Sequence, residues 1–308
     1  MNPGAIEQIE SAGEALNVVH AIEDWLSIYR QSSDLSRLNQ FAGTTPLTVR
    51  GDLFELLQIA NELFQETNGC FDLASGALTQ LWRHCRQSER IPDRSEVDKS
   101  LQRSGMQHVV LESDHNRVSF ARDGIILDPG AIGKGYAIDE ACRVLQVEKS
   151  GPESFLLHGG HSSLRAAGCH HDHDGWPVGI GNPLFTEKRL GTLLLKNQSL
   201  ATSGSNIQFF RHDGKRYGHI LDPKTGWPIE GMLSVTVLAP TAAVADALST
   251  AFFVMGVEKA VACCENWPGV GAILIPFPEH GRKVHPIVVG IPRECIFWDE
   301  SQVESSVG

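Results

Sequence analysis

Ser234-Val-Thr-Val-Leu-Ala-Pro240-Thr-Ala-Ala-Val-Ala-Asp246-Ala-Leu-Ser-Thr250-Ala-Phe-Phe-Val-Met255-Gly256 changes its character half-way. Before Pro240 the run is β-branched and alternating, and predicts a strand over 233–239. After Pro240 small and apolar residues dominate, and a helix is predicted over 241–255. In that helix Asp246, Ser249 and Thr250 lie three and four residues apart, so their oxygens project from one face. Val244, Leu248, Ala251 and Met255 form the opposite face, which reads as core. A carboxylate on an otherwise buried helix is costly unless something neutralises it. Carboxylate and hydroxyl oxygens together suit a hard cation such as Mg²⁺. The alternative is an Asp near a helix start, with hydroxyls bonding back to the helix backbone.

Working outward, apolar spacing predicts helices over 4–29, 51–67 and 74–84, with short helices at 32–38 and within 86–104. The period then shifts toward two. His108–Ser113 and Arg117–Ala121 predict a hairpin around Asp114-His115-Asn116, and Ile125–Leu127 a short strand. A glycine turn leads into a helix over 132–148. Strands are expected near 154–158, 176–181, 190–196, 206–211, 216–221, 270–276 and 284–290, with a second late helix at 257–266. Helices first and strands later read as α+β, with a mixed or largely antiparallel sheet flanked by helices. One domain over 1–308 is expected. If it is bilobed, a helical part near 4–105 precedes a strand-rich part near 106–295.

The chain has 308 residues, 26 Lys plus Arg and 37 Asp plus Glu, for a net charge of −11. Such an acidic chain with no basic run is a poor nucleic-acid binder, and no nucleic-acid partner is expected. Seven cysteines, an odd number without a CxxC pair, argue against a disulfide framework. Cys263-Cys264 read as small apolar packing residues. No run of about 18 apolar residues is present, so no membrane span is predicted. The polar start shows no secretory signal, and the expected location is cytoplasmic.

Other stretches could carry chemistry. Asp128-Pro-Gly130-Ala131-Ile-Gly133-Lys134-Gly135-Tyr136 joins a strand to a helix start. It could cradle an anion on backbone N–H groups with Lys134 as a point charge, or simply be a tight connection. It fits neither the Walker A nor the GxGxxG spacing. Thr202-Ser203-Gly204-Ser205 is either a phosphate or flavin cradle or an ordinary polar loop. His219 is placed before an apolar pair in a strand, and a general base is its best functional role. Cys169-His170-His171-Asp172-His173-Asp174 invites a transition-metal reading. Adjacent ligands on one loop rarely enclose a metal, and a solvated loop is the preferred reading.

Together these stretches resemble the ApbE family of FAD:protein FMN transferases over roughly residues 20–290. The resemblance is carried by Tyr29-Arg-Gln-Ser-Ser-Asp34-Leu-Ser-Arg37-Leu-Asn39 and Gly69-Cys-Phe-Asp72-Leu-Ala74-Ser-Gly76. It extends through Asp128–Ala137, Thr202-Ser-Gly204, His219–Gly226 and Ser234–Thr250. It implies an α+β enzyme that uses Mg²⁺ to cleave FAD and pass FMN to a Thr or Ser hydroxyl of an acceptor flavoprotein, with release of AMP. Related readings are an FAD pyrophosphatase and a flavin-binding protein without turnover. It implies metal binding by Asp246, Thr250, Ser249 and the carbonyl of Ala131. It places FAD against Tyr29, Asp72, Leu73, Ala74, Asp128, Lys134 and Leu221, with the Thr202-Ser203-Gly204 stretch nearby. His219 would be the base and Asp246 essential to catalysis. Where the family usually carries Asn-x-Gly-Gly-Asp, this chain reads Leu157-His158-Gly159-Gly160-His161.

Overall fold

The computed structural model describes residues 3–147, 151–160, 162–205, 209–278, 281 and 283–303. In chain order the helices and strands are α1 (Pro3–Leu26), α2 (Asp34–Phe41), β1 (Leu47–Thr48), α3 (Gly51–Glu66), α4 (Gly76–Gln87), α5 (Arg94–Leu101), β2 (Val109–Glu112), β3 (Arg117–Phe120) and α6 (Gly133–Val147). They continue with β4 (Phe155–His158), β5 (Ser163–Ala167), β6 (Trp176–Gly181), β7 (Arg189–Leu195), β8 (Ser199–Gly204), β9 (Phe209–His212) and β10 (Lys215–Gly218). The last are β11 (Met232–Ala239), α7 (Ala242–Met255), α8 (Val257–Glu265), β12 (Gly271–Pro276), β13 (Ile287–Val289) and β14 (Ile296–Trp298). The chain divides into two compact units: residues 1–19, 134–207 and 231–308 form the first, and residues 20–133 with 208–230 the second.

The first unit is built on a six-stranded sheet in the order β13-β12-β11-β8-β5-β4. Its ladders are antiparallel. Because side chains alternate across a strand, the sheet presents two different faces. One face contributes Leu200, Leu238 and Ile273 to a core shared with Leu190, Leu193 and Leu195 of the antiparallel sheet β14-β7-β6. The other face carries α7, which packs against β8, β11 and β5. A smaller cluster joins Ala15 of α1 to Ala141, Cys142 and Leu145 of α6 and to Phe155 and Ala167 of the sheet.

The second unit holds α2–α5, the antiparallel β1-β3-β2 sheet and the β9–β10 hairpin. The hairpin expected at 108–121 forms, with Val109 opposite Phe120 and a left-handed Asn116 in its turn. Trp82 of α4 stacks on Tyr217 and meets Trp227 edge-on, while its indole N–H donates to the Gly226 carbonyl at 2.8 Å.

Several expected strands are corrected. Ile125–Leu127 joins no ladder. Leu127 exchanges both backbone bonds with the Asn39 side chain, and the Ile126 carbonyl accepts from Gly76 N–H at the start of α4. The strand expected at 216–221 ends at Gly218; His219 lies in a bend, and Leu221 makes an isolated bridge to Pro228. The strand expected at 206–211 is described from Phe209 as β9, and its first three residues lie outside the described residues. The strand expected at 284–290 narrows to β13, with Val284 bridging to Val303. Strands β1, β5, β8 and β14 were not expected. Thr202-Ser203-Gly204 belongs to an inner strand of the six-stranded sheet and is not a loop.

Candidate functional site

In the first unit, α7 is buried on nearly every side. The expected split into a core face and a polar face is therefore incomplete: Leu248 and Ala251 are buried, but Val244 and Met255 are only half-buried. The face bearing Asp246, Ser249 and Thr250 turns toward the sheet, because the sheet offers hydroxyls there. Ser203 Oγ of β8 lies 2.8 Å from Ser249 Oγ and 3.1 Å from Thr250 Oγ1. Ser163 Oγ of β5 donates to Asp246 Oδ1 at 2.5 Å. Alternation separates Thr202 from its neighbour Ser203. Its hydroxyl meets Thr236 at 2.8 Å in a cross-strand pair, on the face that carries Leu200 and Leu238. Gly204 closes β8 opposite Ser234.

Asp246 is 5% exposed, and burial raises its pKa above the usual carboxylate value. Lys134, the Ser163 hydroxyl and the Gly135 N–H all oppose that rise. The Gly135 N–H donates to Oδ2 at 2.7 Å, and Lys134 Nζ stands 3.7 Å from the same oxygen. The anion held at the first turn of α6 is thus the protein's own carboxylate. The exchange is reciprocal: Asp139 of α6 accepts from the Ala242 and Ala243 N–H groups at the start of α7, both at 2.8 Å. The helices meet so closely that a Cβ on Gly135 would lie 2.1 Å from the Ala242 carbonyl oxygen. A donor set of one carboxylate and several hydroxyls, without imidazole or thiolate, fits a hard divalent cation. Asp139 and Ser163 were not singled out from the sequence, and their position after a glycine-rich stretch is the signal that could have marked them.

In the second unit, Asp72 ties a loop together. Its Oδ1 accepts from Ala74 N–H at 2.8 Å and from Met106 N–H at 3.0 Å. Burial pushes its pKa up to about 6, against those two hydrogen bonds. Leu73 and Ala74 are buried, and the Leu73 carbonyl accepts from Asp128 N–H at 2.8 Å. Asp128 in turn accepts from Gly130 N–H at 3.0 Å, capping the short turn that contains the half-buried Ala131. Tyr29 is 76% exposed, with the Arg83 guanidinium 5.4 Å from its ring centre. Asp222 organises the turn after Leu221 by accepting from Lys224 N–H and the Thr225 hydroxyl. His219 is exposed. A cleft of about 500 Å³ is lined in part by Gln65, Asn68, Asp72, Gln107 and Lys224.

The Cys169–Asp174 stretch packs its imidazoles on one another. His170 meets His171 at 4.3 Å and His173 at 5.9 Å between ring centres, and also contacts Trp176. Among the described residues no group of three His, Cys, Asp or Glu side chains is arranged to hold a metal. His161 lies outside the described residues. No described helix is long and apolar enough to cross a membrane.

Fold and site define a class of α+β protein with a buried carboxylate and hydroxyl seam between an antiparallel sheet and its covering helix. Comparison narrows the class. The ApbE family profile matches residues 4–274, and the chain belongs to the ApbE family. An FAD:protein FMN transferase of Klebsiella pneumoniae (strain 342) is 32% identical over 291 residues, covering 93% of this chain and 86% of the relative. One of Treponema pallidum (strain Nichols) is 33% identical over 280 residues, covering 86% and 76%. The crystal structure of an ApbE protein of Thermotoga maritima superposes with a TM-score of 0.79 at 29% identity, covering 90% of this chain and 87% of that one.

Proposed function

We propose that this chain transfers FMN from FAD to a Thr or Ser hydroxyl of an acceptor flavoprotein, in a Mg²⁺-dependent reaction that releases AMP. The observation that carries this reading is the oxygen cluster of Asp246, Ser249 and Thr250, set in a chain whose relatives are named FAD:protein FMN transferases. Asp246, Thr250 and Ser249 would hold the cation. When bound, it neutralises charge on the pyrophosphate, which an acidic protein otherwise lacks the means to do.

The chemistry is a phosphoryl-group transfer, in which positioning and charge matter more than covalent help from the protein. The acceptor oxygen forms a bond to the FMN phosphorus, and the bond from that phosphorus to the bridging oxygen breaks. The hydroxyl proton passes to His219, since imidazole is the side chain that most often serves as a general base. AMP departs with the bridging oxygen. Lys134 offers a second positive charge toward the anion, and the Asp72–Ala74 loop with Asp128, Tyr29 and Leu221 receives the flavin nucleotide.

The test is incubation of purified protein with FAD and Mg²⁺, with and without a peptide carrying a Thr acceptor, read by mass spectrometry. Covalent FMN on the peptide together with AMP is expected. Free FMN and AMP in equal amounts, with an unmodified peptide, would replace the transferase by a pyrophosphatase. Intact FAD in every tube would leave neither reaction standing.

A further inference from the structure

We propose that Ser163 is a positioning residue that fixes the plane of the Asp246 carboxylate for its cation, an inference that rests on the cation reading above. The torsion that turns a carboxylate about its own axis is soft and broad. One anchor on one oxygen leaves that rotation open, whereas an anchor on each oxygen closes it. Asp246 has both anchors: Gly135 N–H on Oδ2 at 2.7 Å and Ser163 Oγ–H on Oδ1 at 2.5 Å. The Gly135 anchor is backbone and cannot be varied by a side chain. Ser163 is therefore the side chain that anchors Oδ1, while the Lys134 ammonium stands 3.7 Å from Oδ2.

Its surroundings suit that role. Ser163 is 1% exposed and opens β5 with its Cα opposite Ala201, on the sheet face that presents Ser203 to α7. Ser162 Oγ, 3.3 Å away, completes the hydroxyl contacts. Neither oxygen of Asp246 is saturated by these bonds, because a carboxylate offers about four acceptor positions. The stretch where the family usually carries Asn-x-Gly-Gly-Asp here reads Leu157-His158-Gly159-Gly160-His161, and Ser163, two residues beyond it, brings the hydroxyl that meets the carboxylate. Partners that orient a ligating group typically contribute 10–100-fold to metal affinity.

The experiment is a titration of the FAD-free protein with Mn²⁺, followed by the loss of the free-ion EPR signal. It compares wild type with Ser163→Ala, Ser163→Thr and Asp246→Ala, and circular dichroism melts are run in parallel. Ser163→Ala is expected to weaken Mn²⁺ binding by at least about tenfold. Ser163→Thr, which keeps the hydroxyl, should restore affinity to within about threefold of wild type. A Ser163→Ala protein that melts lower but binds Mn²⁺ like wild type would overturn the proposal and leave the cation reading intact. Failure of the threonine variant to recover affinity, in a protein that melts like wild type, would also overturn it. Wild-type binding that survives Asp246→Ala would remove the cation reading itself, and the role of Ser163 with it.

Discussion

Asp72 and Asp246 are the same chemical group in different settings, one in each unit, and both have a pKa raised by burial. They are satisfied differently. Among the described residues Asp72 meets backbone donors only, two N–H groups on a single oxygen, so its carboxylate serves as a staple between two turns. Asp246 divides its bonds between both oxygens and draws on a backbone N–H, a hydroxyl and a nearby ammonium group. The difference teaches that burial and a raised pKa do not by themselves distinguish a structural acid from a reactive one. Their donors differ: a hydroxyl reaches Asp246, where the proposed function puts the cation, whereas backbone amides hold Asp72.

That contrast can be broken at its hardest point first. Gly135→Ala forces a Cβ into the Ala242 carbonyl, and the two helices must part. Overpacking of this kind costs about 3 kcal/mol, and the thermal midpoint and Mn²⁺ binding should fall together. Next, Asp246→Ala should reduce FMN transfer by more than about a hundredfold. Mg²⁺ should raise the melting temperature of wild type but not of this variant, since a ligand that binds the native state stabilises it. Asp72→Ala should behave oppositely, losing about 2 kcal/mol because two buried N–H groups are left unpaired, while Mg²⁺ still raises its midpoint. Equal responses of the two variants to Mg²⁺ would erase the distinction.

A subtler effect is pH dependence. Asp72 has a folded-state pKa of about 6 against an ordinary 3.8. Between these values the folded state holds more protons than the unfolded state, so stability falls as pH rises through that window. Asp72→Asn keeps an oxygen for both N–H donors but does not titrate. Wild type should therefore lose stability relative to Asp72→Asn from about pH 4 to about pH 7 in denaturant titrations; parallel curves would refute the assignment. The smallest effect belongs to Thr202→Val. It removes one cross-strand hydroxyl pair, for about 1 kcal/mol, and should leave Mn²⁺ affinity alone, whereas Ser203→Ala should lower it.

Much of this was legible in the residues. The Asp246, Ser249 and Thr250 spacing placed three oxygens on one helical face, and the glycine turn marked a helix start. The antiparallel hairpin at 109–120 followed from alternation alone. What escaped was anything satisfied by a distant partner. Thr202-Ser203-Gly204-Ser205 looks like a polar loop because the hydroxyls that pair with Thr202 and Ser203 in an inner strand lie on β11 and α7. Ile125–Leu127 looks like a strand because its backbone bonds go to the Asn39 side chain and to the start of α4, which no local pattern reveals. The glycine turn advertised an anion site without disclosing that the anion is Asp246. The division into units is equally hidden, since each gathers stretches far apart in sequence.

The reciprocal exchange between α6 and α7 also bears on how the chain reaches its native state. Its two halves join residues 103 and 111 positions apart in the chain. Bringing such distant segments together carries a loop-closure cost and belongs to the slow, nonlocal part of folding. The carboxylate therefore acquires its geometry only when the intervening strands are in place. A nascent chain ending short of Asp246 has no such geometry to offer. Competence to bind the ion would thus report on completed folding, and Mn²⁺ uptake during refolding should lag behind the recovery of helical signal.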